Sequence, residues 1–176
     1  MKKIMFIFSI AVASLLLSCG SNTAGSSTDG GMSDTEKKNL ETANAVAKMF
    51  EAGDWSKSGD YIATDAVDHA GMTGDIKGLD SIKANFTRMG SMMGDFKNDV
   101  VKEAASGDYV FQWVKESATA KVDDPMMGKA GTRGTFNVVE VSKFKDGKIT
   151  DHWAFMDWND MMKMMPQPGT NMMDKK

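Results

Sequence analysis

The chain has 176 residues, with 21 lysines and arginines against 24 aspartates and glutamates, and a formal net charge of −3. That length leaves room for one domain of ordinary size. The acidic balance and the lack of any basic stripe exclude a nucleic-acid partner, and a single cysteine, Cys19, excludes a disulfide framework.

The chain opens on a processing signal, residues 1–18. Lys2 and Lys3 form a basic start, and Ile4 to Leu17 is an almost unbroken apolar run, too short to span a bilayer comfortably. It ends Leu16-Leu17-Ser18-Cys19, which resembles the lipobox of bacterial lipoproteins. That resemblance implies cleavage before Cys19 and acylation of it. The expected location is the bacterial cell envelope, on the outer membrane, held by acyl chains whose membrane affinities add. Cleavage removes Lys2 and Lys3, so the formal charge moves from −3 to −5. Residues 19–33, dominated by glycine, serine and threonine, read as a flexible tether.

The domain is expected over 34–165. Asp34 to Ala52 predicts a helix capped by Asp34 or Ser33, with Leu40, Ala43, Val46, Met49 and Phe50 on one face and Gly53 as its stop. A shorter helix follows over Trp55 to Ile62, then a short extended piece, Ala66 to Ala70, that carries Asp68 and His69. Gly71 to Gly78 reads as a loop. Leu79, Ile82, Phe86 and Met89 at three- and four-residue steps predict a third helix.

The period then changes. Phe96 to Ala104, Tyr109 to Val122 and Arg133 to Phe144 read as strands. Tyr109, Phe111 and Trp113 share one face of theirs and Val110, Gln112, Val114 and Glu116 the other, which predicts cover on both faces at that end. Phe136, Val138, Glu140, Ser142 and Phe144 share a face of the next. Asp123 to Gly131 is a loop between them. Asp146-Gly147 is a two-residue hairpin signal, because a type I′ turn needs positive φ at both central positions. Trp158 to Met165 closes the domain as a short helix, and residues 166–176 are a polar tail. Helices first and hairpin-linked strands afterwards predict an α+β domain with an antiparallel sheet.

In the last strand, alternation puts Ile149, Asp151, Trp153, Phe155 and Asp157 on one side and His152, Ala154 and Met156 on the other. Asp157 is therefore either an acid or base beside two aromatics in an apolar pocket, where desolvation raises its basicity, or the cap of the helix that follows it. His152 points away from Asp157 and reads as structural unless a bulge shifts the register.

Several segments resemble the SnoaL-like polyketide cyclase and ester cyclase group of the nuclear-transport-factor-2-like superfamily. They are NAVAKMFEAGDWSKSGDYIATDAVDH, GLDSIKANF, SGDYVFQWV and, most specifically, FKDGKITDHWAFMD. The resemblance implies a cone, in which a curved antiparallel sheet with three helices on its concave side encloses a cavity. In catalytic members an acidic residue acts as general base and permits an intramolecular aldol closure without metal or cofactor. Asp157 stands where the closing motif places an acid. His69 stands at the extended Asp-His position, either to hydrogen-bond a carbonyl or enolate oxygen or as a rim histidine with no role. Many relatives carry G-T-H-x-G after the long strand and G-(I/V)-P-P-T-G beyond it. Here the stretch is Ser117-Ala118-Thr119-Ala120 and then Pro125-Met126-Met127-Gly128, so the turn histidine is absent and the expectation moves from catalysis towards binding.

Five methionine pairs among 17 methionines read either as a soft-metal site or as adaptable packing around a pocket. Packing is the preferred reading, and no metal or cofactor is expected. The partners expected are a small apolar ligand walled by Trp153, Phe155 and Phe136 with Glu140 beside them, the membrane through Cys19, and a second copy of the domain across the sheet face that carries Tyr109, Phe111 and Trp113. The enzymatic alternative is a cofactor-free isomerase or cyclase that uses Asp157 as base with His69 assisting.

Overall fold

The computed structural model describes residues 31–71, 73–124 and 127–164. The expected leader, most of the tether and the polar tail lie outside these residues.

Helix α1 spans Asp34–Ala52. Ser33 caps it in a reciprocal capping box with Glu36, and Gly53 stops it in the left-handed conformation at φ 64°. Helix α2 is one turn, Ser58–Tyr61, shorter than the expected Trp55 to Ile62. Strand β1 runs Ile62–Asp68 and a two-residue β2, Ile76–Lys77, lies inside the expected loop. Helix α3 spans Leu79–Met92. Four long strands follow: β3 Met93–Ser106, β4 Tyr109–Ala120, β5 Arg133–Lys145 and β6 Lys148–Met156. Asp146 and Gly147 both take positive φ, 53° and 76°, as the β5–β6 turn demands. Helix α4, Trp158–Met164, ends the described chain.

The six strands form one sheet in the order β2-β1-β6-β5-β4-β3. Its pairs are antiparallel except β1 with β6, which run parallel. This is the α+β cone expected, with one parallel pair where an all-antiparallel sheet was anticipated. The parallel contact arises because β1 reaches the sheet from the helical half of the chain rather than by a hairpin.

α1 lies along the inner face of the sheet, where Ala43, Leu40 and Val46 pack on Val110, Phe144 and Ile149. α3 closes the β1 side through Ile82, packed on Ile62 and Ala66. A third cluster, Ala118, Ala120 and Met127 with Met93, Phe96 and Phe136, seals the far end. Burying these apolar faces is the main source of stability, at about 25 cal/mol per Å² removed from water.

Besides a register shift in β1 between Ile62 and Val67, three bulges bend the long strands. Two fall in β3, between Gly94 and Lys97 and between Val100 and Lys102. The third falls in β6, where Lys143 pairs Asp151 but the next residue, Phe144, pairs Ile149, so Thr150 is the extra residue.

The outer face of the sheet is not covered as expected at its β4 end. Tyr109, Phe111 and Trp113 are exposed, Trp113 to 49%, and Val139 and Phe155 join them. α1 covers the inner row of β4, and none of the helices described packs on the outer one.

Candidate functional site

A cavity of about 510 Å³ lies between the helices and the inner face of the sheet. That is within the usual range for small-molecule sites. α1 supplies Val46, Ala47 and Phe50, and α3 supplies Ile82, Phe86 and Met89. Phe50, Trp55 and Phe86 make a tight aromatic corner: Trp55 stacks on Phe86 at 4.6 Å, and Phe50 meets Phe86 edge-on at 5.3 Å. Met89, Met156 and Met161 also line the space. These methionines occupy the packing role that flexible thioethers fill well.

The sheet wall is different, because polar groups interrupt its apolar rows. Asp68, Gln112, Glu116, Glu140, Ser142 and His152 all face the cavity. His152 Nδ1 donates to Asp68 Oδ1 at 3.0 Å. Asp68 is 5% exposed and also accepts from the Ala70 amide at 3.0 Å. Burial pushes the Asp68 carboxyl up, but the hydrogen bond and charge of His152, the Ala70 amide and the His69 charge together hold it below the usual carboxylate range. Burial pushes the His152 imidazole down, and the Asp68 hydrogen bond with the charges of Glu140 and Asp68 more than offsets this, so the ring is held above the usual histidine range. The ring keeps 24% of its surface accessible, and since it lines the cavity this surface faces the hollow rather than bulk water. With Nδ1 committed, Nε2 is the nitrogen left for a bound molecule.

Glu116 and Glu140 form a second pair. Burial first, then the charge of Glu140 and a hydrogen bond to it, push the Glu116 carboxyl up to about 8. Two carboxyls this close cannot both ionise easily, so the pair shares a proton near neutral pH. Gln112 stands beside them, its amide donating to Asn44 Oδ1 and Glu103 Oε2, both at 3.1 Å.

The expected site is corrected in most of its members. Asp157 is exposed, and its Oδ1 accepts from the amides of Asn159 at 2.9 Å and Asp160 at 3.4 Å. It caps α4 and does not line the cavity. Trp153 and Phe155 lie on the outer face, Phe155 at 58% exposure, and neither lines the cavity. Phe136 packs in the far-end cluster instead. Glu140 does face the cavity, beside Glu116.

The cause is the Thr150 bulge. One extra residue reverses the alternation beyond it, so Ile149 faces in, and His152, Ala154 and Met156 also face in where Trp153 and Phe155 had been expected.

His69 also lies outside. Its ring stacks on Trp153 at 4.7 Å, and its Nδ1 and Nε2 are hydrogen-bonded with Asp75 Oδ1 at 3.0 Å and Asp151 Oδ1 at 3.3 Å. The Asp75 hydrogen bond raises His69; burial opposes this, and Asp151 adds to the rise. The two strands thus carry matching Asp-His dipeptides, 68–69 and 151–152, cross-bonded to each other. Asp68 and His152 are register partners on the inside, and His69 and Asp151 meet on the outside. His152, Asp68 and Glu116 were missed as site residues. The signal for them was present: polar residues on otherwise apolar inward rows, Gln112 and Glu116 beside Val110 and Val114.

Residues 41–167 match the model of the SnoaL-like polyketide cyclase family. The chain belongs to that family. Similar solved structures include a protein assigned as a SnoaL-like polyketide cyclase from Jannaschia, with TM-score 0.69, 13% identity and coverage of 80% of this chain and 99% of that one. Bal32a, from a soil-derived mobile gene cassette, has TM-score 0.63, 22% identity and coverage of 76% and 100%. An epoxide hydrolase of M. tuberculosis, of the LEH-like type, has TM-score 0.61, 20% identity and coverage of 74% and 90%. At these identities the three share the fold. No curated protein matches the chain.

The carboxyl pair gives stability a definite pH slope. Unfolded Glu116 releases its proton near the ordinary 4.5, whereas folded Glu116 keeps it to about 8. Between those values the folded state binds more protons, so stability falls as pH rises. His152, raised above 6.5, adds a loss in the same direction at the upper end. The urea midpoint of the wild type therefore drops between about pH 5 and pH 8, and Glu116→Gln flattens the drop. A wild-type midpoint with no decline over that span would show that the pair holds no shared proton.

Proposed function

We propose that this SnoaL-like domain takes up one small, predominantly apolar molecule in the cavity between its helices and its sheet. The supporting observation is the cavity itself: a volume of about 510 Å³, an aromatic corner at Phe50, Trp55 and Phe86, and acidic and imidazole groups confined to the sheet wall. Apolar surface provides the binding energy and the few convergent polar groups fix orientation. Nile red, a neutral apolar dye, should bind with enhanced fluorescence. Ala47→Trp, which places an indole in the space from α1, should weaken that binding about tenfold or more. Phe155→Ala, on the outer face, should leave it within about twofold. Equal dye binding by the Ala47→Trp variant would overturn the reading.

A second reading is supported by the ionisable wall. The cavity would then carry out cofactor-free proton transfer on a carbonyl compound, as the family's cyclases do. Asp157, the base first expected, is a helix cap. The groups placed to act are the Glu116–Glu140 pair as base and His152 Nε2 as donor to the developing oxyanion, with Asp68 fixing the ring. Strong perturbation of acids in an apolar pocket is a mark of such sites. If a ketone or ester that binds is also turned over, His152→Gln should cut kcat about a hundredfold or more while keeping affinity within a few-fold. A variant that loses affinity and kcat together would leave His152 as a binding group and sink this second reading.

The leader and Cys19 support a tethered domain at the bacterial cell envelope. Metabolic labelling with a palmitate analogue should mark the wild-type protein, and Cys19→Ser should abolish the label and release the protein from the membrane fraction. A Cys19→Ser protein that still pellets with membranes would refute lipid anchoring.

A further inference from the structure

The charges lining the cavity are unequal. Asp68 is hydrogen-bonded to His152 at 3.0 Å, and the imidazole also feels the charge of Glu140. Gln112 is neutral and already engaged by Asn44 and Glu103. Glu116 and Glu140 add two further carboxyls that face the same space from adjacent strands. No lysine or arginine is among the described residues that line the space. α1 and α3 contribute apolar groups and amides but no charged group to it. The wall therefore sets three carboxyls, Asp68, Glu116 and Glu140, against one imidazole inside a largely apolar enclosure.

A buried wall on which acids outnumber cations is costly to ionise, and the cost falls when a partner of opposite sign enters with its hydrogen bonds satisfied. An anionic guest would add a further carboxylate or phosphate to a low-dielectric space already lined by three carboxyls, which Coulomb repulsion disfavours strongly. A neutral guest would leave the charge as it stands. Opposite the sheet wall, the rings of Phe50, Trp55 and Phe86 offer apolar area and electron-rich faces, both compatible with a cation on an aromatic or alicyclic body.

We infer that the molecule held here is a monocation, an apolar body bearing one protonated amine whose nitrogen sits between Glu116 and Glu140. This rests on the cavity as a ligand site and is independent of the proton-transfer reading. It excludes fatty acids, acyl phosphates and nucleotides as occupants. It also assigns the two glutamates a specificity role that persists if no reaction occurs.

The test is a comparison of three compounds of one shape by isothermal titration calorimetry at neutral pH: naphthylmethylamine, naphthylmethanol and naphthoate. The amine should bind about tenfold or more tightly than the alcohol, as a charge-assisted hydrogen bond in a buried site provides, and naphthoate should bind weakest. In the double variant Glu116→Gln, Glu140→Gln, the amine should fall to within about twofold of the alcohol. A cooperative urea transition of the variant reports that it is folded. If that variant does not fold, the wild-type ranking decides alone. Equal affinity for amine and alcohol in the wild type would overturn the inference while leaving the cavity reading intact. No binding of any of the three, together with no binding of Nile red, would overturn both.

Discussion

One extra residue in β6 governs what this domain can do. Thr150 has no opposite number on β5: its neighbours Ile149 and Asp151 pair with the adjacent residues Phe144 and Lys143. The period of a strand is two, so a single insertion moves every later side chain to the other face. Here it turns His152, Ala154 and Met156 towards the cavity and sends Trp153, Phe155 and Asp157 outward. Without the bulge the cavity wall would be aromatic and the outer face would carry the imidazole. Thr150 is held by its own hydroxyl, which donates to Asp151 Oδ2 at 2.9 Å.

Around that feature the domain separates apolar and polar duties. The helical side supplies alkyl and aromatic groups with one amide, Asn85, and the sheet supplies the acids, further amides and the imidazole. The division follows from geometry. A strand pair holds neighbouring side chains close together on one face, so β4, β5, β6 and β1 can bring Glu116, Glu140, His152 and Asp68 onto a single wall although the sequence scatters them. Strands at the centre of a sheet are also well braced, and braced groups keep perturbed acidities that a mobile loop would lose to solvent.

Much of the fold was legible beforehand. The helical spacing over 34–52 and 79–89, the strand pattern of the second half and the Asp146-Gly147 turn each follow from local chemistry, and each appears close to its expected place. The parallel contact of β1 with β6 was not legible, because a short extended piece after two helices says nothing about which edge it joins. The site was legible only in fragments. Glu140 was assigned to it, while His152 was seen but placed on the wrong face, because alternation carried through a strand assumes that no residue is inserted. Large aromatics also pulled the reading inward, although Trp153 and Phe155 lie on the outer face.

The two Asp-His dipeptides have an effect on assembly as well as on chemistry. In the observed alignment each acid meets the other strand's imidazole, once on each side of the sheet. Sliding β1 by a single position so that Asp68 faces Asp151 would set acid against acid and ring against ring. The parallel joint, which lacks a hairpin to fix it, thus contains its own alignment key, and misaligned chains would be rejected by charge before the hollow could close.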